Sequence, residues 1–338
     1  MVDISSDRSK IPALVDALDR KLTYLRISLT DKCNFRCFYC YGSAQEIERT
    51  AKLSLMSSTE IVDLIKVFGS LGVNKVRLTG GEPLLNPSVV DIVRNISEIP
   101  GIKQIGLTTN GFLLKEKLSE LIKAGLNRLN VSLDSLEREK FCEVTGVDGL
   151  PQVLEGLRAA RDSGAFQRVK VNTVVMRGVN DSEVGNLAKW SLENGFELRF
   201  IEYMPTRNTL NHAKKHISEA DIRSKIDLEL QPDIGNLTSA GPARTYKVDG
   251  YPGRIGFISA LSQKFCESCN RLRLKADGRL VGCLFRDNSV DLISMLRSGM
   301  SLDDLAYFVR NLVAKPEFKD EADFTESGFR PEMKTIGG

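Results

Sequence analysis

The chain is poor in the residues that several common protein classes need. Of its 338 residues two are histidine and one is tryptophan, and aromatics make up 7%. Metal sites built on imidazole therefore have few donors to draw on. No apolar run approaches the roughly 20 residues of a membrane span. No signal-peptide core opens the sequence, and residues 1–20 are polar apart from a short amphipathic piece at 11–18, unlike a transit peptide. The balance of 47 Lys+Arg against 44 Asp+Glu gives a net charge of +3, which argues against a nucleic-acid or membrane partner. An anionic small molecule needs only a local cluster of cations and stays open. These absences make a cytoplasmic protein the expectation.

What is present is cysteine, in an unusual arrangement. Six of the seven cysteines fall in two tight groups, which reads as reduced metal ligands rather than disulfides. Cys33, Cys37 and Cys40 have the spacing C-x3-C-x2-C on a loop directly after an apolar strand-like run at 24–29. Three thiolates can hold three irons of a four-iron cube, which ordinarily takes four cysteines. One iron then keeps an open position for a ligand. Cys266, Cys269 and Cys283 form the second group, C-x2-C-x13-C. Asp277-Gly278 is a strong hairpin signal that folds Cys283 back toward the other two. This group admits a zinc knuckle, with a fourth ligand from Cys142, His212 or His216, or a second three-cysteine cluster. Cys142 by itself reads as ordinary packing.

Apolar β-branched runs predict strands at 25–29, 75–79, 104–109, 128–133, 169–175 and 197–202, separated by amphipathic helices at 58–71, 87–99, 114–124, 151–163 and 181–194. The alternation predicts an α/β fold: a partial (β/α)6 TIM-type barrel with ligands at the C-terminal ends of its strands. The rhythm changes after Pro205, with a helical piece at 218–226 and strand-like pieces at 244–248 and 254–257. We therefore expect a barrel domain over 1–235 and a C-terminal α+β iron-sulfur module over 236–338. Arg26, Lys75, Arg77, Lys170 and Arg199 lie within predicted strands, where a charge is costly unless it faces a polar interior. Arg271 and Arg273 alternate across one residue and so share a face.

The cysteine loop, with Tyr39 before its last cysteine, resembles the signature of radical S-adenosylmethionine enzymes. With the second group, the stretches 25–37, 75–84, 106–111, 129–134, 198–204 and 265–273 and the terminal Gly337-Gly338 resemble the GTP 3′,8-cyclase family of molybdenum-cofactor biosynthesis. The sequence departs from that pattern after the third cysteine, where Tyr41-Gly42 stands in place of Met-Pro and the connection is short. The resemblance implies two 4Fe-4S clusters, on Cys33, Cys37 and Cys40 and on Cys266, Cys269 and Cys283. It assigns S-adenosylmethionine contacts to Tyr39, Gly81, Ser132 and Met204, with the Gly80-Gly81-Glu82 element clamping the methionine ammonium. It assigns GTP contacts to Arg26, Lys75, Arg77, Thr108, Lys170, Arg199, Arg271, Leu272 and Arg273. Catalytic roles fall to Arg26, Arg271, Arg273 and the Gly337-Gly338 tail. The implied reaction begins with removal of the ribose 3′ hydrogen of GTP and joins that carbon to guanine carbon 8. The implied partners are an electron donor, the next enzyme, cyclic pyranopterin monophosphate synthase, and a second copy in a homodimer.

Overall fold

The computed structural model describes residues 13–41, 54–204, 212–233, 241–286 and 288–319. Strands β1 (Tyr24–Ser28), β2 (Lys75–Thr79), β3 (Gln104–Thr109), β4 (Arg128–Ser132), β5 (Val169–Val175) and β6 (Glu197–Glu202) pair in parallel, each with the next. Parallel pairing needs a crossover, and amphipathic helices supply it at Ser58–Ser70, Val89–Ser97, Leu114–Lys123, Leu150–Asp162 and Val184–Glu193. The first of these starts on a capping box, in which Ser57 accepts from the Glu60 amide and Glu60 accepts from the Ser57 amide. A further helix at Arg138–Thr145 is absent from the sequence reading; only Phe141, Val144 and Thr145 of its eight residues are buried, too few to mark a period.

Alternation along each strand divides the sheet into two faces. Leu25, Ile27, Val76, Leu78 and Leu107 are fully buried against the helices. Their neighbours Arg26, Lys75 and Arg77 point to the concave side. The predicted barrel lacks two strands, and the later part of the chain supplies both. Strand β9 (Arg254–Ile258) adds in parallel to β6, and strand β10 (Arg271–Leu274) adds in parallel to β1. Among the described residues the sheet has twelve strands in the order β12-β11-β10-β1-β2-β3-β4-β5-β6-β9-β8-β7. Here β7 is Gln231–Pro232, β8 Arg244–Lys247, β11 Arg279–Val281 and β12 Val290–Asp291. The expected hairpin is present as β10 against β11, with Gly278 at φ 77° in its turn. One sheet thus runs through both parts of the chain, and its two outer parallel strands face each other across the interior.

Candidate functional site

Parallel register stacks the inward side chains into layers, as in closed barrels. Across β10, β1 and β2 the deeper layer is Arg271, Tyr24 and Lys75, and the next is Arg273, Arg26 and Arg77. Opposite Arg77 on β3 stands Gly106, where a Cβ would lie 2.8 Å from the Arg77 guanidinium carbon. Glycine there leaves room for that side chain to lie across the strand and donate to the Leu107 carbonyl at 3.0 Å. Lys170 and Arg199 enter from β5 and β6, and Glu197 accepts from Arg199 at 2.6 Å. All seven cations line one cavity of about 200 Å3, with Met204 at the end of β6 and Cys266, Cys269 and Cys283 along one wall.

Crowding alters these groups. Burial, then the charge of Arg199, brings Lys170 down to about 7, and burial, then Arg273, pushes Arg26 down. The cavity is therefore a concentrated positive field with little room to screen itself. Three buried acceptors add neutral polarity. Asn130 Oδ1, Asn172 Oδ1 and Thr108 Oγ1 have no hydrogen-bond partner among the described residues. The two asparagines line the cavity, whereas Thr108 does not. Leu272 is fully buried in the core, as alternation with Arg271 and Arg273 requires, so only its backbone can meet a ligand.

The first cysteine group sits at the C-terminal end of β1, with Cys37 and Cys40 on either side of the start of a short helix, Phe38–Tyr41. Phe35 anchors the loop, edge-on to Phe112 and Phe141 with ring centroids 6.0 and 5.8 Å away. The glycine pair after β2 receives this loop closely. The Gly81 amide donates to the Thr30 carbonyl, and a Cβ on Gly81 would lie 2.1 Å from the Lys32 carbonyl oxygen. The near approach that the paired glycines permit is thus made by the protein's own cysteine loop. Glu82, 1% exposed, accepts from the amides of Leu84 and Asn110 and from the Thr109 hydroxyl. Burial nevertheless raises its carboxyl to about 7. Its oxygens tie its own turn to the end of β3, which leaves ligand contact in this element to the glycine backbone. Tyr39 donates to Asp134 at 2.7 Å, and Asp134 accepts from the Val174 amide. Ser132 lies at the end of β4 beside Asn172. Gly42 and the Gly337-Gly338 tail lie outside the described residues.

Both thiol sets have the chemistry an iron-sulfur cube requires. All six thiols are half-buried and none forms a disulfide. Cys33 Sγ accepts from the Phe35 amide at 3.4 Å and faces Asn110 Nδ2 at 3.8 Å. Burial raises Cys33 to about 11, so a ligand or metal must stabilise its thiolate. At Cys269 burial acts in the same direction, yet Lys319 and Arg271 outweigh it and bring the thiol to about 6. Lys319 Nζ lies 3.4 Å from Cys269 Sγ and is only 3% exposed. Arg20 donates to the Cys266 and Lys319 carbonyls at 2.7 and 2.8 Å, tying an N-terminal turn to this wall. Tyr24, Asn130, Arg20 and Lys319 stand at the cavity or its thiol wall without having been singled out from the sequence, whereas Asn172 is legible there as a strand-end residue aimed at the mouth. The inward parity of Tyr24 and Asn130 was the available signal; no local pattern marks Arg20 or Lys319.

The chain matches known proteins along most of its length. The family model "Radical SAM superfamily" matches residues 27–191, and "Molybdenum Cofactor Synthesis C" matches 196–320. The chain is 40% identical over 325 residues to the GTP 3′,8-cyclase of Thermodesulfovibrio yellowstonii, covering 96% of this chain and 99% of that one. It is 42% identical to the GTP 3′,8-cyclase of Nostoc punctiforme, covering 94% and 99%. It is also 39% identical to the molybdenum cofactor biosynthesis protein moc-5 of Caenorhabditis elegans, covering 89% of this chain and 50% of that one. No described helix is long and apolar enough to cross a membrane. A radical S-adenosylmethionine enzyme of this kind uses that cofactor and a 4Fe-4S cluster, for which Cys33, Cys37 and Cys40 are suited. Matched along nearly its whole length, the chain belongs to the GTP 3′,8-cyclase family of radical S-adenosylmethionine enzymes in molybdenum cofactor biosynthesis.

Proposed function

We propose that the chain converts GTP to 3′,8-cyclo-7,8-dihydroguanosine triphosphate, with Cys33, Cys37 and Cys40 holding one 4Fe-4S cluster and Cys266, Cys269 and Cys283 a second. One observation carries this reading: seven Arg and Lys side chains and the second thiol set line the same cavity. A nucleoside triphosphate matches both ends of it. Guanidinium forks suit the phosphate oxygens. Asn130 and Asn172 present acceptors to donors on the sugar or base. Held by Cys33, Cys37 and Cys40, the first cluster would, together with S-adenosylmethionine, supply the one-electron chemistry needed to remove a ribose hydrogen.

The chain's own residues supply position. Arg271 and Arg273 on β10 extend the layers of Arg26 and Arg77 on the neighbouring β1 and β2, so the phosphate chain meets one continuous bank of cations. Cys266, Cys269 and Cys283 border the same space, and a cluster held by them would supply a Lewis-acidic metal beside the nucleotide. Holding the ribose and base carbons close together is the orientation effect that lowers such barriers. Met204 on the cavity wall and Tyr39, Gly81 and Ser132 near the first cysteine loop are the contacts we assign to S-adenosylmethionine. Gly337-Gly338 is assigned a catalytic role. The C-terminal module from residue 236 supplies the β10 cations and the second thiol set. We place the enzyme in the cytoplasm, as a homodimer fed by an electron donor and passing its product to cyclic pyranopterin monophosphate synthase. The test is anaerobic turnover of the reconstituted protein with S-adenosylmethionine, a reductant and GTP. Mass spectrometry should show 5′-deoxyadenosine and a cyclised GTP product rising together; 5′-deoxyadenosine with GTP untouched would overturn the substrate assignment.

A further inference from the structure

Tyr24 occupies a place in the cation layers where chemistry alone predicts something other than a phenol. In register it lies between Arg271 on one side and Lys75 on the other, with Arg26 two residues along its own strand. It is 6% exposed, its hydroxyl accepts from Arg77 Nε at 2.8 Å, and Lys75 Nζ stands 4.6 Å from its ring centroid. Farther round the cavity stand Arg273, Lys170 and Arg199, the last paired with Glu197. No Asp or Glu is among the described residues lining the cavity; Tyr24 and the three thiols of the wall are its only groups able to become anions.

We infer that Tyr24 is the proton-exchanging group of the triphosphate site: its hydroxyl is ionised while the cavity holds no polyanion and takes one proton from solvent when GTP binds. The inference rests on the GTP reading above. Burial alone would raise the hydroxyl; the charges of Arg77, Arg26, Lys75 and Arg271 outweigh it and bring it to about 7, against a usual value of about 10. An arriving triphosphate brings several negative charges to the same cations, and a phenolate beside it is then repelled. Protonation removes the repulsion. Because Arg77 Nε already donates to the oxygen, the new O–H is free to donate into the cavity, turning a competitor for the cations into a further phosphate contact. No bond other than O–H is made, and the solvent or buffer supplies the proton. Tyr24 thereby holds the cation layers together between turnovers and yields them to substrate.

The test is carbon-13 NMR on holoenzyme carrying tyrosine labelled at the ring carbon that bears the hydroxyl, with both clusters in their diamagnetic oxidised state. Tyr24→Phe assigns the signal. Arg77→Lys assigns it independently, because loss of the Nε donor moves its titration upward. We expect the signal at the phenolate position at pH 8 without nucleotide, titrating near pH 7, and at the phenol position once GTP or inorganic tripolyphosphate is added. A phenol signal at pH 8 without nucleotide overturns the inference, as does a phenolate signal that survives saturation with tripolyphosphate. A shift with tripolyphosphate but none with GTP would sustain Tyr24's role and overturn the GTP reading. Lys170 also changes charge near neutrality, so buffer-dependent binding enthalpies should show Tyr24→Phe losing one proton of uptake at pH 8, with any remainder from Lys170.

Discussion

The two cysteine groups carry the same number of thiols on opposite electrostatic grounds. Around Cys37 the nearby charges are acidic or thiol, and burial, then Asp134, Cys40 and Cys33, pushes its thiol well up. Around Cys269 the charges are basic, and Lys319 and Arg271 bring the thiol down despite burial. The first site gains from neutralisation by what it binds. The second arrives already positive, continuous with a cavity of guanidinium and ammonium groups. In the reaction we propose, the difference separates two tasks on one sheet: generating a reactive species at the strand ends, and holding a polyanion in the interior beneath.

The largest effect should come from removing one thiol from each of the two regions in turn. Cys33→Ala should abolish 5′-deoxyadenosine formation altogether. Cys269→Ala should retain S-adenosylmethionine cleavage and lose GTP conversion, with iron content falling by about half. If both variants lose cleavage equally, the division of labour is wrong. Next in size, Arg273→Met removes a buried charge-assisted phosphate donor with a net worth of about 1.5–3 kcal/mol. GTP affinity should then fall roughly 10- to 100-fold, while S-adenosylmethionine affinity, measured by the same calorimetry, stays unchanged. A parallel loss of both affinities would merge the two sites that the comparison keeps apart.

Smaller effects belong to the supports. Glu202, at the end of β6, accepts from the amides of Glu219, Leu261 and Ser262 and from the Ser262 hydroxyl, fixing the loop that leads to Cys266. Glu202→Gln exchanges one acceptor for a donor in that buried network and should cost about 2 kcal/mol in denaturant unfolding. Iron should be lost from the second cluster before the first. Glu60 caps its helix and holds Arg297 through both carboxylate oxygens at 2.7 and 3.1 Å. Arg297 first, and then the Ser57 contacts, outweigh the raising effect of burial and bring its carboxyl down to about 2. The unfolded carboxyl titrates at about 4.3, so this stabilisation is complete above that value and disappears as pH falls toward about 2. Glu60→Gln should therefore cost about 1 kcal/mol at neutral pH, with the difference from wild type vanishing in strong acid.

Much of the barrel was legible because its signals are local. Residues 75–79 are apolar at Val76 and Leu78 and sit between a helix and a glycine pair, so period, length and flanks agree. The edges were not legible. Nothing within Arg254–Ile258 or Arg271–Leu274 announces that one pairs with β6 and the other with β1, because those partners lie far away in the chain. Arg271 and Arg273 were read as sharing a face, but their facing Tyr24 and Arg26 follows only from register. Glu82 shows another boundary: the motif marks its position, and three hydrogen bonds from its neighbours make it a structural tie.

The central claim is that a triphosphate bound among the barrel cations presents its ribose to chemistry begun at the first cysteine group. Turnover with GTP deuterated at the ribose 3′ position tests it most directly. The account predicts deuterium in the 5′-deoxyadenosine and its absence from the 3′ position of the cyclised product. Unlabelled 5′-deoxyadenosine, with the deuterium retained in recovered GTP, would contradict it.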